Sequence, residues 1–189
     1  MNKSILKENI ISIFPNLSEQ SIESIIPHTT YLNCTKGTKL ISEGKQHHYF
    51  YLILDGSVKS YYKKESKEIC MWFAFDNEII STIKTFVGES SNETIEFLED
   101  SNIIRFKTEP IKELAQIDIS ISHWITTIIT EHAIFLETKL YGLQFMTSNE
   151  RYNALINIAP EILQKVSLTD IASYLGVSRE TLSRIRAKQ

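Results

Sequence analysis

The residues best equipped for chemistry in this chain of 189 lie near its C-terminal end. When 179–186 is wound as a helix, Arg179, Glu180, Ser183, Arg184 and Arg186 share one arc, and Leu182 and Ile185 turn to the other side. A guanidinium can fork onto guanine O6 and N7, and a glutamate can accept from cytosine N4. A face carrying both signs suits the reading of base edges better than indiscriminate attraction to phosphate. Lys188, two residues beyond that arc, could add a contact to the sugar–phosphate backbone.

Such a face needs elements that present it. Leu168, Ile171, Ala172 and Leu175 recur at the spacing of one buried helical stripe, with the small Ala172 where a second helix could cross closely. Gly176 can take the left-handed conformation that ends a helix at little cost. Ser178 is a good N-cap for the next helix, and Val177 and Leu182 have the spacing of a hydrophobic staple. The pattern predicts a helix-turn-helix, one side packed and the other free to enter a major groove. An ordinary helical corner with a solvated charged face is the plain alternative.

The run Ile171-Ala-Ser-Tyr-Leu-Gly-Val-Ser-Arg-Glu-Thr-Leu-Ser-Arg-Ile185 resembles the recognition motif of the Crp/Fnr superfamily of bacterial transcription regulators. The resemblance implies base contacts from Arg179, Glu180 and Arg184 and supporting phosphate contacts from Ser178, Thr181 and Ser183. It also implies a homodimer on double-stranded DNA with an inverted-repeat operator, and RNA polymerase as a further partner. No cofactor is expected. In this family, strands often follow the recognition helix; here the sequence stops three residues after Arg186. A wing strand would have to come from 159–166, where 161–165 is hardly long enough.

Composition agrees with a globular DNA-binding regulator. Hydrophobic residues make up 42% and charged residues 23% of the chain, as in ordinary globular proteins. No apolar run reaches a membrane span and the N-terminus lacks a signal-peptide core, so a cytoplasmic protein is expected. The formal net charge is -3, but it is unevenly spread. Residues 165–189 hold Lys165, Arg179, Arg184, Arg186 and Lys188 against Asp170 and Glu180, a local basic footprint. Two cysteines, Cys34 and Cys70, exclude a disulfide scaffold, a cysteine zinc site and a four-cysteine cluster within one chain. The family's oxygen sensors hold a cluster on cysteines near the N-terminus; none stands there. Two core thiols are the simple reading, with a thiol switch unsupported.

Residues 4–28 read as helical, broken at Pro15, and short strands follow between turn signals up to about Phe106. Among them are Tyr49–Leu54, Ser57–Tyr62 and Ile69–Phe75. Lys36-Gly37, Glu43-Gly44 and Asp55-Gly56 stand in an order that resembles the β-roll of cyclic-nucleotide-binding domains. The expected fold is thus α+β: an antiparallel, jelly-roll-like β-roll over 1–117, a dimerisation helix over 118–146, and the helix-turn-helix in 147–189. From about Ile119 to Phe145 apolar residues cover more than one stripe, which predicts burial on two sides. One side would meet the roll. The other would meet a second copy, with the seam near Ile121, Trp124, Ile128, His132 and Phe135. Burial wholly within one domain is the alternative.

In the family, a short helix, an arginine and a Gly-Glu pair hold the nucleotide. Here Glu78 matches the glutamate, Asn77 replaces the glycine, and Asn92-Glu93 stands where an Arg-Ser or Arg-Thr pair is expected. Asp76, Glu78, Glu89, Glu93, Glu96, Glu99 and Asp100 face Lys84 alone, and a glutamate there would repel phosphate. Glu78, Lys84 and Asn92 are the residues of a candidate effector pocket, with the effector unknown and cyclic-nucleotide control not expected. A metal-binding cupin would need ligands alternating along a strand. His47 and His48 are adjacent instead, and His28, His123 and His132 are scattered. No nucleophile elbow or phosphate loop occurs, so the chain does not read as an enzyme. A β-roll module acting through protein contacts is the remaining non-enzymatic alternative.

Overall fold

The computed structural model describes residues 3–65 and 67–187. Two helices, α1 (Lys3–Ile13) and α2 (Glu19–Ile25), are separated at Pro15 and lead through a 3-10 turn into the strands. Ser18 caps α2 by accepting from the Ser21 N–H.

Eight strands follow: β1 (Thr29–Cys34), β2 (Lys39–Ile41), β3 (Tyr49–Asp55), β4 (Val58–Lys64), β5 (Lys67–Ala74), β6 (Ile79–Ile80), β7 (Thr94–Phe97) and β8 (Ser101–Lys107). A short helix, α3 (Ile83–Val87), interrupts them. The strands form two four-stranded antiparallel sheets, ordered β1-β8-β3-β6 and β2-β7-β4-β5. This is the expected jelly-roll-like β-roll. Gly56 joins β3 to β4 at φ 125, and a Cβ there would lie 2.0 Å from Ser101 Oγ, so only glycine fits.

Period-2 alternation gives the roll two cores. On one face of β3, Tyr51 and Ile53 point between the sheets and meet Ile41, Val58, Ile95, Phe97 and Ile103. On the other face Phe50 and Leu52 join Ile104 and Phe106 beneath the helices. The first sheet is therefore buried on both faces, which explains the near-continuous apolar run from 49 to 54. Full burial of each such side chain stabilises the fold by about 1.5–3 kcal/mol.

After α4 (Thr108–Ala115) comes α5 (Ile119–Phe145), with the bounds the sequence predicts. Asp118 caps it by accepting from Ser120 and Ile121 N–H groups and also accepts from Ser21, which ties α2 to its start. The N-terminal half is fixed to the roll by aromatic packing. Phe50 stacks on Phe106 at 4.8 Å between ring centroids, and Trp124 meets these two rings edge-on at 5.6 and 5.5 Å. Four helices complete the chain: α6 (Ser148–Ile158), α7 (Ile162–Lys165), α8 (Leu168–Leu175) and α9 (Arg179–Arg186). A Thr147–Glu150 capping box starts α6. Among the described residues, no helix is long and apolar enough to cross a membrane.

Candidate nucleic-acid interface

The α8–turn–α9 unit forms as its spacing predicts. Ile171, Ala172 and Leu175 are buried with Leu182 and Ile185, and Leu168 and Val177 pack against them. Gly176 ends α8 at φ 68. Ser178 Oγ accepts from the Thr181 N–H at 3.2 Å and so caps α9. Ser178, Arg179, Glu180, Ser183, Arg184 and Arg186 are exposed on the outer face, and Thr181 is half-buried. Lys188 lies outside the described residues.

Two details refine that face. Arg184 donates back to the Glu180 carbonyl and to Thr181 Oγ1, both at 3.4 Å, which holds its guanidinium over the helix. Thr181 Oγ1 also lies 3.2 Å from Ser178 Oγ, so in this structure it serves the cap and the arginine. The Glu180 carboxyl is held below its ordinary range, first by its own backbone N–H, then by Ser178 and the nearby Arg179 and Arg184. It is an acceptor beside two cations, Arg179 and Arg184.

The stretch considered for a wing is helical: 162–165 forms α7. Lys165 does not belong to the basic footprint either. Its Nζ lies 3.0 Å from Glu99 and 3.8 Å from Asp76 of the roll. Asp170 is likewise bound away from the outer face, 3.2 Å from Lys59.

These pairs belong to an interface that the sequence did not reveal. β5 is the open edge of its sheet, and α8 lies along it. The Cys70 N–H donates to Ser173 Oγ at 2.9 Å, satisfying an edge donor. Lys59 bridges Glu68 at 3.1 Å and Asp170 at 3.2 Å. Burial acts to lower the Lys59 pKa, but Asp170 and Glu68 together hold it above its ordinary value. Phe73 and Tyr174 close the contact at 5.5 Å between centroids. Arg151, on α6, donates to the Leu175 carbonyl at 3.2 and 3.0 Å and to the Met146 carbonyl at 2.6 Å. It thus joins the C-terminal ends of α5 and α8. Lys59, Asp170, Ser173 and Arg151 carry no local pattern; only pairing across the fold gives them a role.

Along α5 the proposed seam needs correction. Ile121 and Trp124 are 0% and 6% exposed, already covered by this chain's own core, so they leave no surface for a second copy. Ile128, His132 and Phe135 are half-buried and line a cavity against the roll. The stripe left open is Ile129, Ala133, Leu136, Leu140 and Leu143, spaced alternately by four and three. That is the a/d period of a coiled coil. The roll takes the side of α5 that carries the large aromatic Trp124.

The candidate effector residues separate into two places. Lys84 Nζ donates to Asn92 Oδ1 at 3.1 Å and lies 3.5 Å from Glu89, by a surface recess that also includes Gly44 and Tyr62. Glu78 is not among these recess residues. It accepts from the Phe75 N–H at 3.0 Å and faces α5 and the C-terminal helices. Asn77 adopts φ 68, a left-handed position that asparagine tolerates better than most residues, so the missing glycine leaves the turn intact. Glu93 does not stand beside the recess as a repelling charge. It is 8% exposed and accepts from Ser60 and from Trp72 Nε1; burial pushes its carboxyl above the ordinary range while those two bonds oppose the shift.

The remaining candidates are simple. His47 Nε2 accepts from the Ser42 N–H at 3.0 Å. Among the described residues no three His, Cys, Asp or Glu side chains converge as a metal site would require. Cys70 is buried, and that burial pushes its thiol up to about 12, which makes it a poor nucleophile. Burial also raises the Cys34 thiol.

The architecture is that of a β-roll joined to a helix-turn-helix by a long connecting helix. Residues 31–118 match the family described as cyclic nucleotide-binding domain. FixK2 from Bradyrhizobium japonicum superposes with a TM-score of 0.74 at 19% identity, covering 85% of this chain and 83% of that one. A CooA mutant from Carboxydothermus hydrogenoformans gives 0.67 at 16% identity, over 86% and 76%. The Catabolite Activator Protein of Thermus thermophilus gives 0.59 at 15% identity, over 93% and 85%. No curated protein sequence matches the chain significantly. The domain match covers the roll, and the shared folds extend the likeness over most of the chain.

Proposed function

We propose that this chain is a homodimeric, sequence-specific, double-stranded-DNA-binding transcription regulator of the Crp/Fnr type. In this reading 1–117 senses, 118–146 dimerises and 147–189 reads DNA. One observation carries the proposal: a capped, well-packed α9 presents Arg179, Glu180, Ser183 and Arg184 together on its free face. Phosphate-only binding would not need a carboxylate fixed among the arginines. The open stripe from Ile129 to Leu143 supports pairing of two α5 helices. Two recognition helices would then lie about 34 Å apart on an inverted repeat. RNA polymerase is the partner such a regulator would meet at a promoter.

Cyclic AMP or cyclic GMP does not control the protein in this reading. Asn92 replaces the expected arginine, and the one nearby lysine, Lys84, is already paired with Asn92 and Glu89. Selection of bound duplexes from a random pool tests function and symmetry together. A recovered inverted repeat is the expected result; failure to enrich any sequence, with no salt-dependent binding, would favour a β-roll module acting through protein contacts. Calorimetry with millimolar cyclic nucleotide should show no saturable heat, and micromolar binding would refute that part.

A further inference from the structure

Lys139 is a cation without a counter-ion. It stands on α5, where its Nζ donates to the Met71 carbonyl and lies 4.1 Å above the Tyr174 ring. Among the described residues no carboxylate comes within 4.0 Å of it. An ammonium has three donors; one is used by Met71 and one side faces the ring. Burial without a compensating charge is unfavourable, and it pulls the Lys139 pKa down to about 8. None of the DNA-reading chemistry uses this residue.

Lys139 borders a partly open cavity of about 290 Å³ lying between β5, α5, α6 and α8. That is close to the lower end of small-molecule pockets. Phe73, Phe135, Leu143, Leu155 and Tyr174 give it a largely apolar wall. Glu78 and Glu161 also line it. Arg151 reaches the wall too, but its guanidinium is committed to the carbonyls that end α5 and α8. The other charged groups on the wall are few: the Lys139 ammonium, and the Glu78 and Glu161 carboxylates, neither of which lies within 4.0 Å of a cation among the described residues.

We propose that this cavity binds an apolar monocarboxylate, with its head on the Lys139 ammonium and its hydrocarbon among Phe73, Phe135, Leu143 and Leu155. One anionic head supplies the counter-ion that Lys139 lacks. A second would meet Glu78 and Glu161, which disfavours dicarboxylates and phosphates. A sugar or base would find too few donors and acceptors along the apolar wall. Because the walls come from the roll, the long helix and α8, an occupant touches all three. Its binding is then linked to the placement of the helix-turn-helix.

Calorimetry on the full chain with sodium octanoate, and with 1-octanol as the uncharged probe, tests this without any DNA. Octanoate should bind saturably at one site per chain, and octanol about tenfold or more weakly. Lys139→Met should reduce octanoate to the octanol level and leave octanol unchanged, whereas Lys139→Arg should retain the preference. No saturation by octanoate, equal affinity for the two probes, or an unaltered octanoate affinity in Lys139→Met would each overturn the proposal. Should Lys139→Met fail to fold, the octanoate–octanol comparison on the unaltered chain decides alone.

Discussion

Replacing Arg151 by methionine should loosen the helix-turn-helix from the rest of the molecule. The side chain keeps its apolar stem but loses every donor. Three N–H···O bonds at 3.2, 3.0 and 2.6 Å to the Leu175 and Met146 carbonyls disappear. Neither carbonyl accepts any other non-helical backbone bond, and Leu175 is only 2% exposed. A buried acceptor left without a donor costs about 1–3 kcal/mol, so the Leu175 carbonyl should cost about that much and the carbonyl of the half-buried Met146 less. The loss of a cation between two helix C-terminal ends adds to this. Gly142, whose carbonyl still accepts from the Met146 N–H at 3.2 Å, contributes little. A domain's whole stability is about 5–15 kcal/mol, so the effect is large enough to measure. Trp72 and Trp124, the two tryptophans, belong to the roll and its aromatic cluster. Urea unfolding followed by their fluorescence should therefore move less than unfolding followed by far-ultraviolet circular dichroism, which also reports the C-terminal helices. Arg151→Lys should fall between, since a point charge cannot serve both carbonyls at once. Coincident transitions with a loss below about 0.5 kcal/mol would show that water replaces the guanidinium and that the link is weak.

Four further outcomes are expected. Arg184→Ala should cost about 1–3 kcal/mol per half-site and relax the selected motif; unchanged affinity and motif would remove α9 as the reading helix. Leu136→Glu should give a monomer in sedimentation and weaken DNA binding while the roll still folds, because a charge would face its copy across the seam; a persistent dimer would refute the stripe. Lys139→Met should stabilise the fold at neutral pH by a few kcal/mol at most, since the native pKa of about 8 lies below the ordinary 10.5. Between those values the unfolded chain binds more protons, so wild-type stability gains on Lys139→Met as pH rises from about 8 towards 10.5; a pH-independent difference in urea midpoints would contradict this. Asp170→Ala should leave the buried Lys59 with only Glu68 and raise proteolytic cleavage near α8, and an unaltered cleavage rate would show that the bridge does not hold the helix.

Local signals were read well because the local physics decided them. The α8 stripe, Gly176 and the Ser178 cap are contacts within about ten residues, so spacing and cap chemistry determine them before any tertiary packing. The bounds of α5 follow from an uninterrupted apolar run that starts after Asp118 and ends at Phe145. What spacing cannot supply is which apolar side meets which neighbour. α5 is apolar around much of its circumference, so 3.6-residue periodicity permits several seams. Trp124 went to the roll because Phe50 and Phe106 stand opposite it, a pairing across more than seventy residues of chain in the case of Phe50. Glu93 is a second case of pairing across the fold. Its Ser60 and Trp72 partners lie on other strands, and they turn a presumed surface acid into an internal acceptor.

The same limitation hid how the C-terminal helices are held. Asp170 looks like an ordinary acid in the first turn of a helix, favourable to the macrodipole, and Lys59 like one more exposed strand lysine. Their meeting at 3.2 Å joins positions 111 residues apart, and neither sequence environment announces it. The pairing answers two physical needs together. An edge strand must have its free N–H groups covered, and a recognition helix must be held at a fixed angle to its dimer axis if two half-sites are to be read in register. Placing α8 along β5 does both, because the strand that needs covering belongs to the sensor roll. It follows that the β5 edge, rather than α5 alone, sets where α9 stands. On the proposed function, any ligand or substitution that alters the Phe73–Tyr174 or Lys59–Asp170 contact would act on DNA reading through position, leaving the chemistry of Arg179, Glu180 and Arg184 untouched.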